Sequence, residues 1–293
     1  MKLYNSTENR IARRLQETIE SELAKLGLLF RVFSRAKTEN SLKTKIERNP
    51  GKYSSDGKKI QDVFGVRVVL YFPDDQKIAI QALKEIFVFD EASSTIDNPS
   101  GNIFSATRCN LIFRLPTEDS ESSLLLRSNA LLDRTFEIQF RTILSEGWHE
   151  VEHDLRYKCQ EDWGTHKDLD RALNGIFATL ETSDWSMLKL FEEMAYRNYK
   201  SAEWTQMLRN KFRLRSNGEI NKNITDALDR NPELGKAVYR INREKLLEKL
   251  SNKRISIPIT PDNIIYICNY FFIKSNTITS LTPQPLIDIF SEA

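Results

Sequence analysis

Residues 136–158, FEIQFRTILSEGWHEVEHDLRYK, change periodicity part-way, and this change constrains the fold more than any other feature of the chain. Apolar and polar side chains first alternate, which predicts a half-buried strand. Thr142 or Ser145 then suits the N-cap of a helix, and residues 146–158 follow helical spacing. The predicted inner face of this helix consists of Trp148, Val151, Leu155 and Lys158.

Polar residues of the predicted strand, Glu137, Gln139 and Arg141, are expected on one face because residues two apart in a strand point the same way. The following helix would bring Glu152 and His153 behind them. A carboxylate beside an arginine suits a metal ion with bound phosphate. For any one of these charges, an edge strand with a solvated face followed by a surface helix is the better explanation.

A basic segment follows the first predicted helix. Arg35 and Lys37 alternate on an extended stretch, so their side chains would point the same way. Asn40 or Ser41 would cap the next helix and place Lys45 one turn into it. Cations near a helix N-terminus form a site for anions, and the alternative is a solvated helix face.

Residues 60–72, IQDVFGVRVVLYF, form an almost continuous apolar run that predicts a central strand. Asp62 at its entrance and Arg67 within it are its only charges. Burying a charge without a partner is unfavourable, so both are expected to face a site. A purely structural Asp62 at the strand entrance remains the alternative.

The order of these patterns predicts an α/β (α+β) fold, with a mixed sheet of about five strands flanked by helices. An amphipathic helix is predicted over residues 6–33, with a break near its end at Gly27. A polar loop or hairpin is predicted over 117–129, and a core helix pair over 173–196 with a break near Ser183.

Proline and Asn-Gly breaks after residue 205 predict a mostly helical C-terminal extension. The expected organisation is a first domain over 1–200 and the extension over 201–293.

Composition excludes several classes of protein. With 43 Lys+Arg against 41 Asp+Glu, the chain is no polycation of the kind that binds nucleic acid non-specifically. Its three cysteines are scattered, which predicts neither a zinc site nor disulfides and fits a reducing cytoplasm. The N-terminus lacks the apolar core of a secretory signal, and the apolar stretch 264–273 is too short to span a bilayer.

Three motifs, taken in order, resemble those of the RelA/SpoT synthetase family, whose members make the alarmone (p)ppGpp. They are R-x-K-x-x-x-S-x-x-x-K, D-x-x-G-x-R-V and E-x-Q-x-R-T, followed by W-x-x-x-E-H-x-L-R-Y-K. The matching residues of the three motifs are Arg35, Lys37, Ser41, Lys45, Asp62, Arg67, Glu137, Gln139 and Arg141.

The resemblance implies transfer of the β,γ-pyrophosphate of ATP to a 3′-hydroxyl, with release of AMP. It implies that Asp62 and Glu137 are the catalytic carboxylates and the ligands of Mg²⁺, and that Glu137 also orients or deprotonates the attacking hydroxyl. The residues that it assigns to ATP are Arg35, Lys37, Ser41, Lys45, Arg67 and Arg141.

On the acceptor side the chain departs from the family pattern G-Y-x-[SA]-x-H. Phe104 stands in for the stacking tyrosine, while Ile103 and Arg108 replace the glycine and the histidine. Glu146 stands where many synthetases carry an amide. The residues expected to bind the acceptor are Phe104, Arg108, Gln139, Glu152 and His153.

Three functions follow from the resemblance. The first is synthesis of a (p)ppGpp-type alarmone from GDP or GTP, and the second is pyrophosphorylation of the tRNA 3′ end by a toxic small synthetase. A non-catalytic regulatory module is the third, and the presence of Asp62 and Glu137 argues against it. The paired His-Asp ligands of the family's hydrolase domain are not found. The extension is expected to bind another copy of the chain, or a regulatory or antitoxin partner.

Overall fold

The computed structural model describes residues 2–97 and 109–292. Within these residues, five strands form one sheet in the order β1-β2-β5-β4-β3. The strands are β1 (Phe30–Ala36), β2 (Phe64–Leu70), β3 (Phe89–Ile96), β4 (Cys109–Arg114) and β5 (Thr135–Thr142). Only β2 and β5 pair in parallel, and the other neighbours are antiparallel. The predicted mixed α/β sheet is therefore confirmed.

Helices flank the strands in sequence. Those of the N-terminal part are α1 (Lys2–Lys25), α2 (Glu39–Glu47), α3 (Gln76–Ile86), α4 (Thr117–Ser122), α5 (Leu124–Ser128), α6 (Ile143–Glu152), α7 (Gln160–Trp163) and α8 (Lys167–Lys200). The predicted helical extension is also present. Its helices are α9 (Trp204–Phe212), α10 (Lys222–Arg230), α11 (Pro232–Arg240), α12 (Arg243–Asn252), α13 (Pro261–Cys268), α14 (Asn276–Leu281) and α15 (Gln284–Glu292).

The chain divides into two compact units. The first comprises the described residues of 1–21, 30–76 and 80–184, and it holds the whole sheet. The second comprises 22–29, 77–79 and the described residues of 185–293. The predicted domain division at residue 200 stays a prediction.

The core of the first unit lies on one face of the sheet. Phe113 and Phe136 stack with ring centroids 5.7 Å apart, and both side chains are fully buried. On β1, the Gln16 side chain of α1 donates to the Val32 carbonyl and accepts from the Ser34 hydroxyl. These contacts place α1 against this face, so the other face is left to the polar residues of the strands.

Four local predictions were wrong. The first helix ends at Lys25, because Gly27 adopts a positive φ of 70° and β1 begins at Phe30. Residues 117–129 contain the two short helices α4 and α5 rather than a loop or hairpin. The predicted helix pair over 173–196 is the single helix α8, in which the Ser183 hydroxyl donates to the Thr179 carbonyl without breaking the helix.

The fourth wrong prediction concerns the inner face of the helix that follows β5. Trp148 is buried, but Val151 is 50% and Leu155 62% exposed, and Lys158 is exposed as well. The helix α6 ends at Glu152, and residues 153–157 form a π-helical turn. A π turn changes the angle between successive residues, so the helical phase read from the sequence does not continue to Leu155 and Lys158. Val151 precedes the turn and lies on the exposed side of α6 itself.

Candidate active site

The parallel pairing of β2 with β5 assembles the candidate site. In its register, Gly65 lies opposite Glu137 and Arg67 opposite Gln139. Since side chains alternate along a strand, Arg67, Glu137 and Gln139 share the face that is not packed into the core. Parallel strands also begin at the same edge of a sheet, so Asp62, just before β2, lies near the start of β5.

Asp62 is held by two lysines. Lys45 Nζ donates to both carboxylate oxygens at 2.8 Å, and Lys37 Nζ donates to Oδ2. Burial alone would raise the pKa of the Asp62 carboxyl, but the two ammonium groups outweigh burial and hold that pKa below its usual value. Burial lowers the pKa of Lys37, while hydrogen bonding to Asp62 overcomes burial and raises the pKa of Lys45.

Glu137 is held by amides rather than by cations. Asn110 Nδ2 on β4 donates to Oε1 at 3.0 Å, and Gln139 Nε2 donates to Oε2 at 2.9 Å. Burial, followed by the negative charge of Asp62, raises the pKa of Glu137. A carboxyl whose pKa is raised in a buried site is suited to accept a proton.

Arg67 spans from β2 to the helix that follows β5. Its Nη1 donates to Glu146 Oε1 at 2.6 Å and also to Glu150 Oε1. Glu146 is mostly buried, whereas Glu150 is 57% exposed at its side chain. The pair with Glu146 is therefore expected to contribute more than the pair with Glu150.

Arg141 lies beside Arg67, where their like charges repel. Burial and then the charge of Arg67 lower the pKa of Arg141, and its buried Nε and Nη1 make no hydrogen bond within the described part of the chain. His149 is close to both guanidinium groups, and burial followed by their charges lowers its pKa to about 3. Glu146 and Glu150 pair directly with Arg67, so the charge of Arg141 is the less compensated of the two guanidinium charges.

The start of α6 is fixed by a short hydrogen-bond network. Thr142 is the N-cap: its Oγ1 accepts from the Ser145 backbone N–H at 3.2 Å, and the Ser145 hydroxyl closes a capping box. The Thr142 hydroxyl also lies 2.5 Å from a carboxylate oxygen of Asp184, which is buried. The cap determines where Glu146 and His149 lie relative to Arg67 and Arg141.

The other residues assigned to ATP lie on β1 and α2. Arg35 on β1 lies opposite Gly65 on β2. If residue 65 carried a side chain, its Cβ would lie 4.0 Å from Arg35 Cγ, which shows that the Arg35 side chain passes close over Gly65. The N-cap of α2 is Thr38 rather than Asn40 or Ser41, because the helix begins at Glu39, two or three residues before the start that those caps would give. The hydroxyl of Ser41 lies 2.9 Å from that of Thr38.

Glu152 and His153, which were expected to bind the acceptor, make no described contact with this cluster. Glu152 accepts from Arg156, and the His153 ring lies 5.7 Å from that of Tyr157 and also contacts Asp154. Phe104 and Arg108, also assigned to the acceptor, lie outside the described residues. Of the five residues assigned to the acceptor, Gln139 alone is described as part of the cluster, through Glu137.

Several residues of the site were missed by sequence reasoning. Asn110, His149, Glu150 and Asp184 carry contacts or charges described above, but none of them was assigned to the site. The i, i+3 and i+4 spacing of Glu146, His149 and Glu150 is a signal that the three share one face of α6. Asn110 needed the β4–β5 register, which the sequence does not contain.

The carboxylates of Asp62 and Glu137 fit a magnesium ion that also binds substrate phosphates. Within residues 2–97 and 109–292, no group of three or more His, Cys, Asp and Glu side chains is placed to hold a metal. Magnesium in nucleotide enzymes, however, is commonly bound by one or two carboxylates together with substrate phosphates. Asp62 and Glu137, which influence each other electrostatically, supply that number.

None of the described helices combines the length and the apolar character that a membrane span requires.

Comparison with known proteins places the site inside a defined region. Residues 34–162 match the family described as "Region found in RelA / SpoT proteins". No curated protein matches this chain. Among solved structures, the chain is similar to the small alarmone synthetase 2 from Bacillus subtilis, with 22% identity, a TM-score of 0.46, and coverage of 65% of this chain and 95% of that one.

Two further structures are similar at this level. The small alarmone synthetase 1 from Bacillus subtilis, bound to its product pppGpp, is 19% identical with a TM-score of 0.46, covering 64% of this chain and 94% of that one. A GTP pyrophosphokinase family protein from Streptococcus pneumoniae is 20% identical with a TM-score of 0.42, covering 70% of this chain and 93% of that one. The family match bears out the resemblance seen in the motifs, because residues 34–162 contain Arg35, Asp62 and Glu137 and with them all three motifs.

Proposed function

We propose that the chain transfers the β,γ-pyrophosphate of ATP to the 3′-hydroxyl of GDP or GTP, forming a (p)ppGpp-type alarmone and AMP. The observation that carries the proposal is the cluster at the start of β2 and β5, where Asp62, Lys37 and Lys45 lie near Glu137 within the matched region. This cluster combines carboxylates for a metal ion with ammonium groups for a polyphosphate.

The lysines and arginines divide the binding of ATP. Lys37 and Lys45, whose ammonium groups already converge on one carboxylate, would move onto phosphate oxygens when the nucleotide arrives. Arg35 and Arg67 lie on the adjacent strands β1 and β2, where their planar guanidinium groups are suited to stack on adenine. Arg141 adds a third guanidinium, whose Nε and Nη1 make no hydrogen bond within the described part of the chain and would bind an anion.

Glu137 would act as the base. In the transfer, the acceptor O3′ forms a bond to the β-phosphorus of ATP, the bond from that phosphorus to the α-phosphate bridging oxygen breaks, and AMP leaves. The hydroxyl proton passes to a Glu137 carboxylate oxygen. Magnesium, held by Asp62 and Glu137, would neutralise charge on the phosphates.

Alarmone synthesis and tRNA modification differ in the molecule that accepts the pyrophosphate. Guanosine nucleotides rank first, because alarmone synthesis is the commoner activity in the family that the motifs resemble. The tRNA 3′ end is the competing acceptor, and no described contact favours it. We place the reaction in the cytoplasm, where ATP and both acceptors are found.

A labelling experiment tests the proposal. The protein is incubated with magnesium and γ-labelled ATP, together with GDP, GTP, ATP or deacylated tRNA in separate reactions. Label is expected on GDP and GTP, and the Asp62→Asn variant serves as the inactive control. Label on tRNA alone would replace the proposal with the tRNA-modifying function, and label on no acceptor would overturn both.

The extension is assigned a separate role. We propose that the helices after residue 200 bind another copy of the chain or a regulatory or antitoxin partner. Light scattering of the purified protein at several concentrations tests the first of these, and a mass equal to one chain throughout would contradict it.

A further inference from the structure

Both carboxylate oxygens of Glu137 have their own amide donor. Asn110 on β4 lies directly opposite Gln139 on β5 in the antiparallel register. Its Nδ2 lies 3.0 Å from Glu137 Oε1, and Gln139 Nε2 lies 2.9 Å from Oε2. We call the pair Asn110 and Gln139 the amide clamp.

The contact with Glu137 fixes the orientation of the Asn110 side-chain amide and leaves its carbonyl oxygen without a described partner. A carboxylate can only accept hydrogen bonds, so Asn110 must turn its NH₂ group toward Glu137. Its Oδ1 is consequently buried without a hydrogen-bond partner in the described part of the chain. An unpaired buried carbonyl oxygen is unfavourable, so the contact with Glu137 must outweigh this penalty.

The charges around Glu137 show why a clamp is needed. Asp62 repels its carboxylate, while the ammonium groups of Lys37 and Lys45 attract it. A glutamate side chain with free torsions would turn toward those lysines and form ion pairs with them. Neutral donors on the β4 and β5 side counteract this movement without adding a competing charge.

We propose that Asn110 is a positioning residue: it holds the Glu137 carboxylate toward the acceptor hydroxyl and away from Lys37 and Lys45. The proposal rests on the pyrophosphotransfer proposed above, in which Glu137 accepts the hydroxyl proton. It assigns to β4 a part in the reaction that none of the three sequence motifs contains.

Kinetics provide the first test. Asn110→Leu removes the donor at similar size, and kcat is expected to fall about ten- to hundredfold while the KM for ATP changes less than about twofold. Asn110→Ser keeps a donor and is expected to recover part of kcat, and it carries the test if the leucine variant fails to fold. The matched control is Gln16→Leu, which removes a partly buried amide on the opposite face of the sheet. An unchanged kcat in Asn110→Leu, or an equal fall in Gln16→Leu, would overturn the proposal.

A second test does not depend on activity. Urea unfolding of Asn110→Leu, Glu137→Leu and the double variant forms a double-mutant cycle. The shift in the unfolding midpoint caused by Asn110→Leu is expected to become smaller when Glu137 is already leucine. Equal shifts in both backgrounds would show that Asn110 does not act through Glu137. If the wild-type protein labels no acceptor but the cycle shows coupling, the proposed function fails while the clamp remains.

Discussion

Lys45 Nζ lies 2.8 Å from both carboxylate oxygens of Asp62, the residue assigned to magnesium. Lys37 Nζ donates to the same carboxylate. A metal ion alone must therefore compete with two ammonium groups, whereas in the proposed function ATP would draw those groups onto its phosphates. The geometry favours binding of metal and nucleotide together over binding of metal alone.

The first prediction concerns Lys45→Met. Removing one ammonium group exposes Asp62, so Mn²⁺ without nucleotide is expected to bind about tenfold more tightly than to the wild type. The KM for ATP is expected to rise, because a phosphate ligand is lost. Electron paramagnetic resonance of free Mn²⁺ measures the first effect. Lys43→Met, on an exposed residue of the same helix, is the control, and equal Mn²⁺ affinity in both variants would contradict the prediction.

Asp62→Asn and Glu137→Gln are each expected to reduce kcat at least about hundredfold, since both remove a charge assigned to the metal. Asp62→Asn should also lower the unfolding midpoint, because Lys37 and Lys45 lose their carboxylate and repel each other. Circular dichroism establishes that the fold persists, and the labelling assay measures turnover. Near-normal turnover in either variant would show that the metal lies elsewhere.

Glu146→Gln is expected to weaken ATP binding. The change removes the charge that pairs with Arg67 at 2.6 Å, so the guanidinium proposed to stack on adenine is no longer held in place. We expect the KM for ATP to rise about three- to tenfold, with a smaller effect from Glu150→Gln, whose partly exposed pair contributes less. A larger effect of Glu150→Gln than of Glu146→Gln would reverse this ranking.

His149 predicts a pH dependence of stability. Its pKa falls from 6.5 to about 3 on folding, so between these values the unfolded chain binds a proton that the native state does not. The free energy of unfolding should therefore decrease as pH falls from 6.5, by at most about 1.4 kcal/mol per pH unit. In His149→Phe, which keeps a ring next to Phe177, this dependence should be weaker. Urea titrations at pH 7 and pH 5 on both proteins measure the difference, and identical slopes would contradict it.

The α6 cap provides a prediction about stability alone. Thr142→Val removes the hydroxyl that caps α6 and leaves the buried Asp184 carboxylate without it, so a loss of about 1–3 kcal/mol is expected. Thr142→Ser retains the hydroxyl and should lose much less. Urea unfolding compares the two, and equal losses would mean that the methyl group rather than the hydroxyl is responsible.

The sequence was sufficient to predict those strands whose pattern of apolar and polar residues is read from immediate neighbours. The alternation of residues 136–141 predicted the strand β5, which carries Glu137, and the apolar run 60–72 predicted β2, which begins two residues after Asp62. It failed where a local change in backbone geometry intervenes. The π-helical turn after Glu152 changed the phase of the helix, and Thr38 rather than Ser41 caps α2.

Partners across strands were also beyond sequence reasoning. The contact between Asn110 and Glu137 depends on the register of β4 against β5, and Arg67 reaches Glu146 from another element. Such pairs are fixed by tertiary packing, which one sequence without its relatives does not display. The chain departs from the family pattern at Ile103 and Arg108, and the expected effect of these two residues on acceptor binding stays a prediction.

The parallel pairing of β2 and β5 has a consequence for the chain during its synthesis. The strand β2, which follows Asp62, and the strand β5, which carries Glu137, are neighbours in the sheet, yet β3 and β4 lie between them in the sequence. A nascent chain released only as far as β4 already holds both lysines and Asp62, but it lacks the proposed base. Contacts between distant segments also form late in folding. The proposed transfer therefore requires that β5 has been translated and inserted beside β2, because only then is Glu137 in place.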